Sequence, residues 1–363
     1  MQFSPLHSLI EGSWFKLICG ASYQHLPAVR NLALAYSLAG ADCIDVAADP
    51  AVITAAREGI EAARKLQDGT RAKVSPWLMI SINDAEDPHF RKAKFDVVQC
   101  PVDCPQPCVN VCPASAIDLN RGGVLEKLCY GCGRCIPICP QELIEARFHV
   151  SSLSEIVPWI ESAAVDAIEI HTGVGHYADF ERVWQEILPV IDRLKLIAIS
   201  CTDAPNVIDY LRSLYELISP LPCPLIWQTD GRSMSGDLGR GTTHAAIAFA
   251  RKVLQSNLPG YIQLAGGTNN YTTDKLNQAN MLRQSNSLSN ARSISGLAYG
   301  SYARKTLFPI LNQLENIQQQ ANLLNSRLSI DRLDHKLEQN SELLQQAVDI
   351  ARQLVSQIKT AGN

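Results

Sequence analysis

Eight short apolar runs, each followed by an amphipathic stretch, constrain the fold of this chain more than any other feature. Near-continuous apolar runs separated by helical stretches are typical of parallel strands that are buried on both faces of a sheet. The intervening stretches, such as 27–39 and 51–65, repeat apolar residues at helical spacing. The predicted strands lie at 15–21, 43–48, 76–83, 167–172, 195–201, 225–230, 261–267 and 294–300.

Eight strand–helix units favour an α/β fold of the closed (β/α)8 type, a TIM-like barrel, over an open doubly wound sheet. The span 15–318 holds 304 residues, and 237 remain when an insertion at 84–150 is set aside. That length is close to the roughly 250 residues typical of such barrels. The open sheet remains the alternative, because it alternates strands and helices in the same way. We predict two barrel segments at 1–83 and 151–318 and a C-terminal helical extension at 319–363.

The predicted insertion holds eight of the twelve cysteines of the chain. Its second cysteine run has the spacing C-x-x-C-x-x-C-x-x-x-C-P, which holds iron–sulfur clusters in bacterial ferredoxins. Structural zinc sites typically take two C-x-x-C pairs with a long spacer, and disulfides need an oxidising compartment. The run therefore predicts iron–sulfur ligands, namely Cys129, Cys132, Cys135 and Cys139, followed by Pro140.

The first cysteine run has a wider, regular spacing of three intervening residues. This departure from the ferredoxin pattern leaves two alternatives for the cluster that it would hold, a 4Fe-4S cluster or a three-iron 3Fe-4S cluster. In two-cluster ferredoxins the last cysteine of each run joins the first three of the other run. The predicted sets are Cys112 with Cys129, Cys132 and Cys135, and Cys139 with Cys100, Cys104 and Cys108.

The insertion follows the third predicted strand, and this order predicts where the clusters lie. A segment between a barrel strand and its helix is a βα loop at the carboxyl-terminal face, where the active sites of such barrels lie. We therefore expect a two-cluster, ferredoxin-like unit over the barrel mouth.

Two glycine-rich segments follow the seventh and eighth predicted strands and contain Gly266, Gly267 and Gly300. In barrels these two loops frequently bind phosphate, because glycine lets backbone N–H groups approach an anion. The alternative is that the glycines only allow tight turns. If they bind phosphate, FMN beside iron–sulfur clusters would make an electron-transfer enzyme.

Two further segments offer weaker functional signals. The loop 228–244, with Asp230 among its charged residues, either folds over a ligand or forms an exposed surface. His171 and His176 flank the turn after the fourth predicted strand. A structural role is favoured over proton transfer for both histidines, because the local sequence offers them no carboxylate partner.

Charge and hydropathy limit the kinds of partner. The net charge is -4 and no run of lysine or arginine occurs, which argues against nucleic-acid binding. No apolar run approaches the roughly 18–20 residues that span a bilayer, and the first residues lack the pattern of a signal peptide. We therefore expect a cytoplasmic protein without a transmembrane segment. Residues 330–359 predict a helix that either packs on the barrel or binds a partner.

Four stretches together resemble the cyanobacterial light-dependent period family, LdpA, and the resemblance covers nearly the whole chain. They are CPVDCPQPCVNVCP (100–113), LCYGCGRCIPICP (128–140), WQTDGRSMSGDLG (227–239) and SGLAYGSYARKTL (295–307). The resemblance implies a ferredoxin-type iron–sulfur protein of circadian-clock input. All eight cysteines of the insertion carry over as ligands, and no catalytic residue does.

The resemblance further implies a redox sensor that conveys cellular redox and light state to the clock through protein–protein contacts. Its implied partners are oscillator and histidine-kinase proteins of the clock, and a redox protein or a quinone is a further candidate. The alternative function is an iron–sulfur oxidoreductase, with FMN as a candidate cofactor, that relays electrons to a site at the barrel mouth. The sensor is favoured, because the sequence of the barrel shows no evident acid–base pair.

Overall fold

All eight predicted strands form and close into one parallel barrel in the computed structural model. The structure describes residues 4–67, 75–112, 114–148, 153–162, 164–231, 243–283, 292–326 and 336–359. The barrel strands are β1 (Trp14–Gly20), β2 (Cys43–Ala47), β3 (Trp77–Asn83), β8 (Ala167–His171), β9 (Leu196–Thr202), β10 (Leu225–Asp230), β11 (Tyr261–Ala265) and β12 (Gly296–Tyr299). Four short strands lie between β3 and β8, namely β4 (Arg91–Lys94), β5 (Ile117–Asp118), β6 (Gly123–Val124) and β7 (Glu145–Phe148).

The order of strands around the barrel is β1-β12-β11-β10-β9-β8-β3-β2, and every neighbouring pair is parallel. Closure requires the pairing of β1 with β12, which places Trp14 opposite Gly296 and Leu17 opposite Tyr299. The closed (β/α)8 barrel is therefore confirmed, and the open doubly wound sheet is wrong for this chain.

Helices surround the barrel and cover the outer face of its strands. Their inward sides join the outward residues of the strands in one continuous apolar layer, which includes Phe15, Leu17, Ile80 and Trp184. The helices are α1 (Pro5–Glu11), α2 (Leu26–Ala39), α3 (Pro50–Leu66), α4 (Pro107–Val111), α5 (Leu153–Glu161), α6 (Tyr177–Ile187), α7 (Val207–Ile218), α8 (Thr243–Gln255), α9 (Thr272–Gln278), α10 (Ser301–Ser326) and α11 (Ser341–Lys359). None of the helices within these described ranges is long and apolar enough to cross a membrane.

The barrel interior changes from apolar to polar along its axis. Side chains alternate between the two faces of a strand, so every second residue points inward. At the amino-terminal end, Trp14, Met79 and Ile226 form a small apolar cluster with Leu9 of α1, which closes that end. Two residues further along β1 and β8, the inward side chains are Lys16 and the equally buried Glu169. The barrel therefore presents polar groups toward its carboxyl-terminal mouth.

The C-terminal helix α11 packs back on the barrel beside α2 and α10. Its buried face includes Ala347, Ala351 and Leu354. Lys359 ends the helix, and its Nζ lies 2.5 Å from Asp42 Oδ2 and 2.9 Å from Ser8 Oγ. Of the two alternatives for this segment, the described residues show the packed helix; the predicted start, 330–335, lies outside them.

Gly59 is the point where α3 crosses closest to α2. A Cβ atom at this position would lie 2.2 Å from the carbonyl oxygen of Arg30 and 3.0 Å from Cβ of Ala33. A glycine in the middle of an exposed helix costs about 1 kcal/mol relative to alanine. Here α2 approaches so closely that it leaves no room for a side chain, which outweighs the helix preference for alanine.

We expect Gly59→Ala to lower the free energy of unfolding by about 1–3 kcal/mol, because the added methyl overpacks the crossing. Urea unfolding followed by circular dichroism measures the change. Lys65→Ala is the control on the exposed face of α3, with an expected effect within about 0.5 kcal/mol. Stabilisation by Gly59→Ala would show that the space between α2 and α3 accommodates a methyl group.

Candidate iron–sulfur unit and barrel-mouth site

The residues between β3 and α5 fold into a small unit with its own core. Strand β4 pairs antiparallel with β7, and β5 pairs antiparallel with β6. The core of this unit contains cysteine thiols together with apolar side chains, namely Ala93, Cys108, Ala116, Ile117, Cys129, Cys135 and Ile144. Thiols that point into a shared core can converge on a cluster.

The eight cysteines fall into two groups of interacting thiols. Burial, and to a smaller extent the neighbouring thiols, raise the pKa of Cys135 to about 12. These electrostatic interactions join Cys135 to Cys132, Cys129 and Cys112, and they join Cys100 to Cys104, Cys108 and Cys139. The crossed assignment of these cysteines to two clusters stays a prediction.

The loop between Cys129 and Cys132 is held against β4 by backbone contacts. Gly131 has φ of +72°, and a Cβ atom there would lie 2.1 Å from the carbonyl oxygen of Arg91. Arg91 Nε donates to the carbonyl oxygen of Gly131 at 3.1 Å. The N–H of Ala93 donates to Cys129 Sγ at 3.4 Å. Such N–H···S bonds are among the groups that set the potential of an iron–sulfur cluster.

The insertion rests on the loop that follows β1, at the carboxyl-terminal end of the barrel. The N–H of Gln24 donates to the carbonyl oxygen of Lys127 at 3.3 Å. Lys92 Nζ donates to Gln24 Oε1 at 2.6 Å, and Ser22 Oγ donates to the carbonyl oxygen of His89 at 2.7 Å. The unit therefore lies over the barrel mouth, as expected for an insertion in a βα loop.

Tyr130 connects the cysteine loop directly to the barrel. Its ring lies under the guanidinium of Arg304, with 4.3 Å between the guanidinium carbon and the ring centroid. Arg304 is buried, and its Nη1 donates to the carbonyl oxygens of Ile18 and Cys19 at 2.9 Å each. A cation over an aromatic face is stabilised further when both groups are shielded from water. One side chain thus joins the end of β1 to the segment between two predicted ligands.

The predicted glycines Gly266, Gly267 and Gly300 all line one cavity at the barrel mouth. The volume of this cavity is about 60 Å³. Tyr130 and Arg304 form part of the same wall. Phosphate binding by these glycines stays a prediction.

Gly266 is required sterically whatever the cavity binds. Its φ is +65°, and a Cβ atom there would lie 1.7 Å from Asp230 Oδ1. A side chain at this position would therefore displace the Asp230 carboxylate from the cavity wall. The residues that follow in the loop after β10, 232–242, lie outside the described residues.

A buried hydrogen-bonded network fills the barrel below this cavity. Lys16 Nζ contacts Glu169 Oε2 and lies 3.6 Å from Asp45 Oδ2. Gln228 Nε2 donates to Glu169 Oε1 at 2.6 Å, and Gln263 Nε2 donates to Gln228 Oε1 at 2.5 Å. Buried charges persist only when they are paired and hydrogen-bonded, so these residues are constrained as a group.

The two carboxylates of this network, Glu169 and Asp45, have pKa values shifted in opposite directions. Burial opposes ionisation of Glu169, but Lys16 and the hydrogen bond from His171 lower its pKa to about 2. Burial raises the pKa of Asp45 to about 6, against the effect of Lys16. Burial would lower the pKa of Lys16, yet the two carboxylates raise it above its ordinary value. Glu169 and Lys16 are therefore a charged pair inside the barrel.

His171 stands between this network and the cavity. Its Nε2 lies 3.0 Å from Glu169 Oε1, and its Nδ1 lies 3.8 Å from Asp87 Oδ1. His89 Nδ1 lies 2.9 Å from the same oxygen of Asp87, and His89 Nε2 lies 3.5 Å from Asp230 Oδ2. Carboxylates from distant parts of the sequence thus surround two histidines.

His176, the other predicted histidine, lies apart from this cluster. Its Nδ1 is 3.2 Å from Asp84 Oδ1, and its side chain is 36% exposed. No role for His89 is predicted from the sequence. The acidic stretch around Asp87, directly after β3, is a signal that could have indicated a site at His89. Lys16 and Glu169 also carried a signal, since each interrupts an apolar strand with a charge.

Two family models match the chain. The model described as the LdpA Fe-S cluster-binding domain matches residues 100–150, and the Light dependent period A C-terminal domain matches residues 159–357. A curated relative, Light dependent period A of Synechococcus elongatus, is 48% identical over 357 residues, covering 98% of this chain and 94% of the relative. The predicted resemblance to this family is confirmed.

A solved structure from Aquifex aeolicus VF5 aligns with 98% of this chain and 99% of its own. Its TM-score is 0.29 and its sequence identity is 7%. At that TM-score the alignment supports no conclusion about fold or function.

Removing the charge of Glu169 should destabilise the barrel. Glu169→Gln leaves Lys16 buried without its nearest carboxylate, so we expect the free energy of unfolding to fall by about 3–5 kcal/mol. Chemical denaturation followed by circular dichroism gives the value. Glu126→Gln removes a carboxylate from an exposed ion pair with Arg147 and should cost only about 0–1 kcal/mol. Equal effects of the two substitutions would contradict a structural role for the buried pair.

Proposed function

The chain belongs to the light dependent period A family, and on that basis we propose that it is an iron–sulfur protein of light-dependent period control. In this proposal the clusters sense the cellular redox state, and their oxidation state alters how the protein contacts other proteins. The observation that carries the proposal is the cysteine-containing core of the insertion, whose buried thiols belong to two groups of neighbouring cysteines. Two such groups suit the two-cluster ferredoxin arrangement.

We propose that each group holds one cluster. The first is assigned as 4Fe-4S; for the second, the wider cysteine spacing keeps a 3Fe-4S form as the alternative. The ligands are Cys112, Cys129, Cys132 and Cys135 for the first cluster, and Cys100, Cys104, Cys108 and Cys139 for the second.

The two groups have different surroundings, and this difference suggests different roles. Both groups include buried thiols, but Tyr130, between Cys129 and Cys132 of the first group, contacts Arg304 of the barrel. Reduction adds negative charge to a cluster, so a nearby cation responds to the change. The first cluster is therefore suited to act on the barrel mouth.

The second group lies beside exposed apolar side chains. Val98 and Val102, on either side of Cys100, are 86% and 104% exposed, and Ile138, next to Cys139, is 45% exposed. Exposed apolar side chains near a functional site are typical of protein contact surfaces. We propose that partners bind here: oscillator and histidine-kinase proteins of the clock, or a redox protein. A cytoplasmic location accords with this role.

An oxidoreductase remains the second candidate, because the cavity at the barrel mouth adjoins Tyr130 and contains His89, His171 and Asp230. In that function the first cluster would relay electrons to a substrate, to FMN or to a quinone in the cavity. Purified protein with a flavin spectrum would favour the enzyme. Redox-dependent binding to clock proteins without flavin would favour the sensor.

Cluster content tests the ligand assignment. Anaerobically purified protein should contain about eight iron and eight sulfide per chain if both clusters are 4Fe-4S, and about seven iron if the second is 3Fe-4S. We expect Cys132→Ala and Cys100→Ala each to lose about half of that content, since each removes a ligand of a different cluster. Cys223→Ala, outside the insertion, is the matched control and should keep all of it. Full iron and sulfide in Cys100→Ala would exclude this residue as a ligand.

The charge of Arg91 should tune the first cluster. This side chain interacts electrostatically with Cys132, Cys135 and Cys129. Because a cation favours the reduced state, Arg91→Gln should lower the reduction potential, by on the order of 60 mV for a tenfold change in a one-electron equilibrium. Arg91→Lys keeps the charge and should shift the potential less. A redox titration monitored by electron paramagnetic resonance measures both, and a raised potential in Arg91→Gln would contradict the assignment.

A further inference from the structure

Asp87, His89 and His171 bring three metal-ligating groups together at the barrel mouth, apart from the cysteines. One ligand atom from each residue lies within 4.8 Å of the other two. We propose that these three side chains hold one divalent transition-metal ion, separate from the iron–sulfur clusters. This site goes beyond the proposed redox function and does not depend on it.

The distances between the donor atoms suit such an ion. Asp87 Oδ1 lies 2.9 Å from His89 Nδ1 and 3.8 Å from His171 Nδ1. Metal–nitrogen and metal–oxygen bonds of about 2.0–2.2 Å in a tetrahedral site place neighbouring donor atoms roughly 3.3 Å apart. The two observed separations lie on either side of that value, and the three donor groups are all within 4.8 Å of one another.

A buried or nearly buried carboxylate faces the second nitrogen of each histidine. His171 Nε2 lies 3.0 Å from Glu169 Oε1, and His89 Nε2 lies 3.5 Å from Asp230 Oδ2. Histidines that bind metals through one nitrogen usually donate the other N–H to a carboxylate or carbonyl oxygen, which fixes the ring and strengthens the ligand. The arrangement leaves Nδ1 of both rings to face Asp87.

His89 and His171 are neighbours, and three carboxylates surround them, namely Asp87, Asp230 and Glu169. The rings of His89 and His171 lie 5.1 Å apart between centroids, and His171 is 6% exposed. A divalent cation bound at Nδ1 of both rings would be balanced by these carboxylates.

The segment that carries Asp87 and His89 is fixed in place. The N–H of His89 donates to Asp87 Oδ1 at 2.8 Å, and the carbonyl oxygen of His89 accepts from Ser22 Oγ at 2.7 Å. Phe90 packs edge-on against the ring of His171, with 5.1 Å between centroids. Rigid support of this kind holds ligands in a productive geometry.

The donor set indicates the class of metal. Two imidazoles and one carboxylate are typical of Zn²⁺ and of non-haem Fe²⁺, whereas Mg²⁺ and Ca²⁺ prefer oxygen ligands. His89 and His171 also line the cavity at the barrel mouth. Three protein ligands leave at least one coordination position for water or another ligand.

The first test is a Zn²⁺ titration of the full chain, purified anaerobically with its clusters loaded. Wild-type protein should bind one equivalent of Zn²⁺ in addition to its iron. His89→Gln and His171→Gln should abolish this binding, and Asp230→Asn should weaken it by about 10–100-fold. His176→Gln is the matched control, since His176 pairs with Asp84 at the same end of the barrel, and should bind Zn²⁺ as wild type does.

Iron and sulfide counts on the same samples separate this site from the clusters. Unchanged counts in variants that lose Zn²⁺ support a separate site. Retention of the bound Zn²⁺ in both histidine variants would overturn the proposal, and so would wild-type protein that binds no Zn²⁺ beyond its cysteines.

Anomalous diffraction from wild-type crystals tests the site even if a variant fails to fold. Data collected at the zinc and iron absorption edges should locate one ion about 2.0–2.2 Å from His89 Nδ1 and His171 Nδ1, and the edges distinguish Zn²⁺ from Fe²⁺. Crystals soaked in Zn²⁺ that show ions only at cysteines would contradict the assignment.

Discussion

The buried pair of Lys16 and Glu169 is the interaction on which the arrangement of the barrel mouth depends. Glu169 uses one carboxylate oxygen for Lys16 and the other for both Gln228 and His171. It therefore joins the polar interior of the barrel to the histidines above it. Because both charges are fully buried, neither can move without exposing the other to an uncompensated environment. The position of His171 follows from this pair.

The insertion packs on the barrel mouth. It begins where β3 ends, and its first turn contributes His89 to the barrel cavity before the chain enters the cysteine core. Tyr130 then returns to the same cavity from the cysteine loop and lies on Arg304. The proposed first cluster and the proposed metal site thus share a wall with one cavity. The contact of Tyr130 with Arg304 is the one through which we expect a change of charge in the insertion to reach the barrel.

Much of the fold could be predicted from local patterns, because apolar runs separated by amphipathic helices specify parallel strands and their helices. The cysteine spacing identified the insertion as an iron–sulfur unit for a similar reason, since its ligands are close in sequence. The histidine cluster could not be predicted in this way. His89 and His171 lie on different elements, and Lys16 meets Glu169 across 153 residues, so only closure of the barrel brings them together. Nothing in the sequence distinguishes Tyr130 from other residues of the cysteine motif, because its contact with Arg304 forms only in the folded chain.

Hydrogen exchange, compared between the oxidised and the dithionite-reduced protein, tests most directly whether cluster redox state reaches the barrel. We expect changed protection in two barrel segments beside the insertion, the loop 21–25 and residues 300–304, as well as within the cysteine unit itself. These segments carry the backbone contact of Gln24 with Lys127 and the contact of Arg304 with Tyr130. Changes confined to the insertion, with both barrel segments unaltered, would contradict the claim that the cluster redox state reaches the barrel.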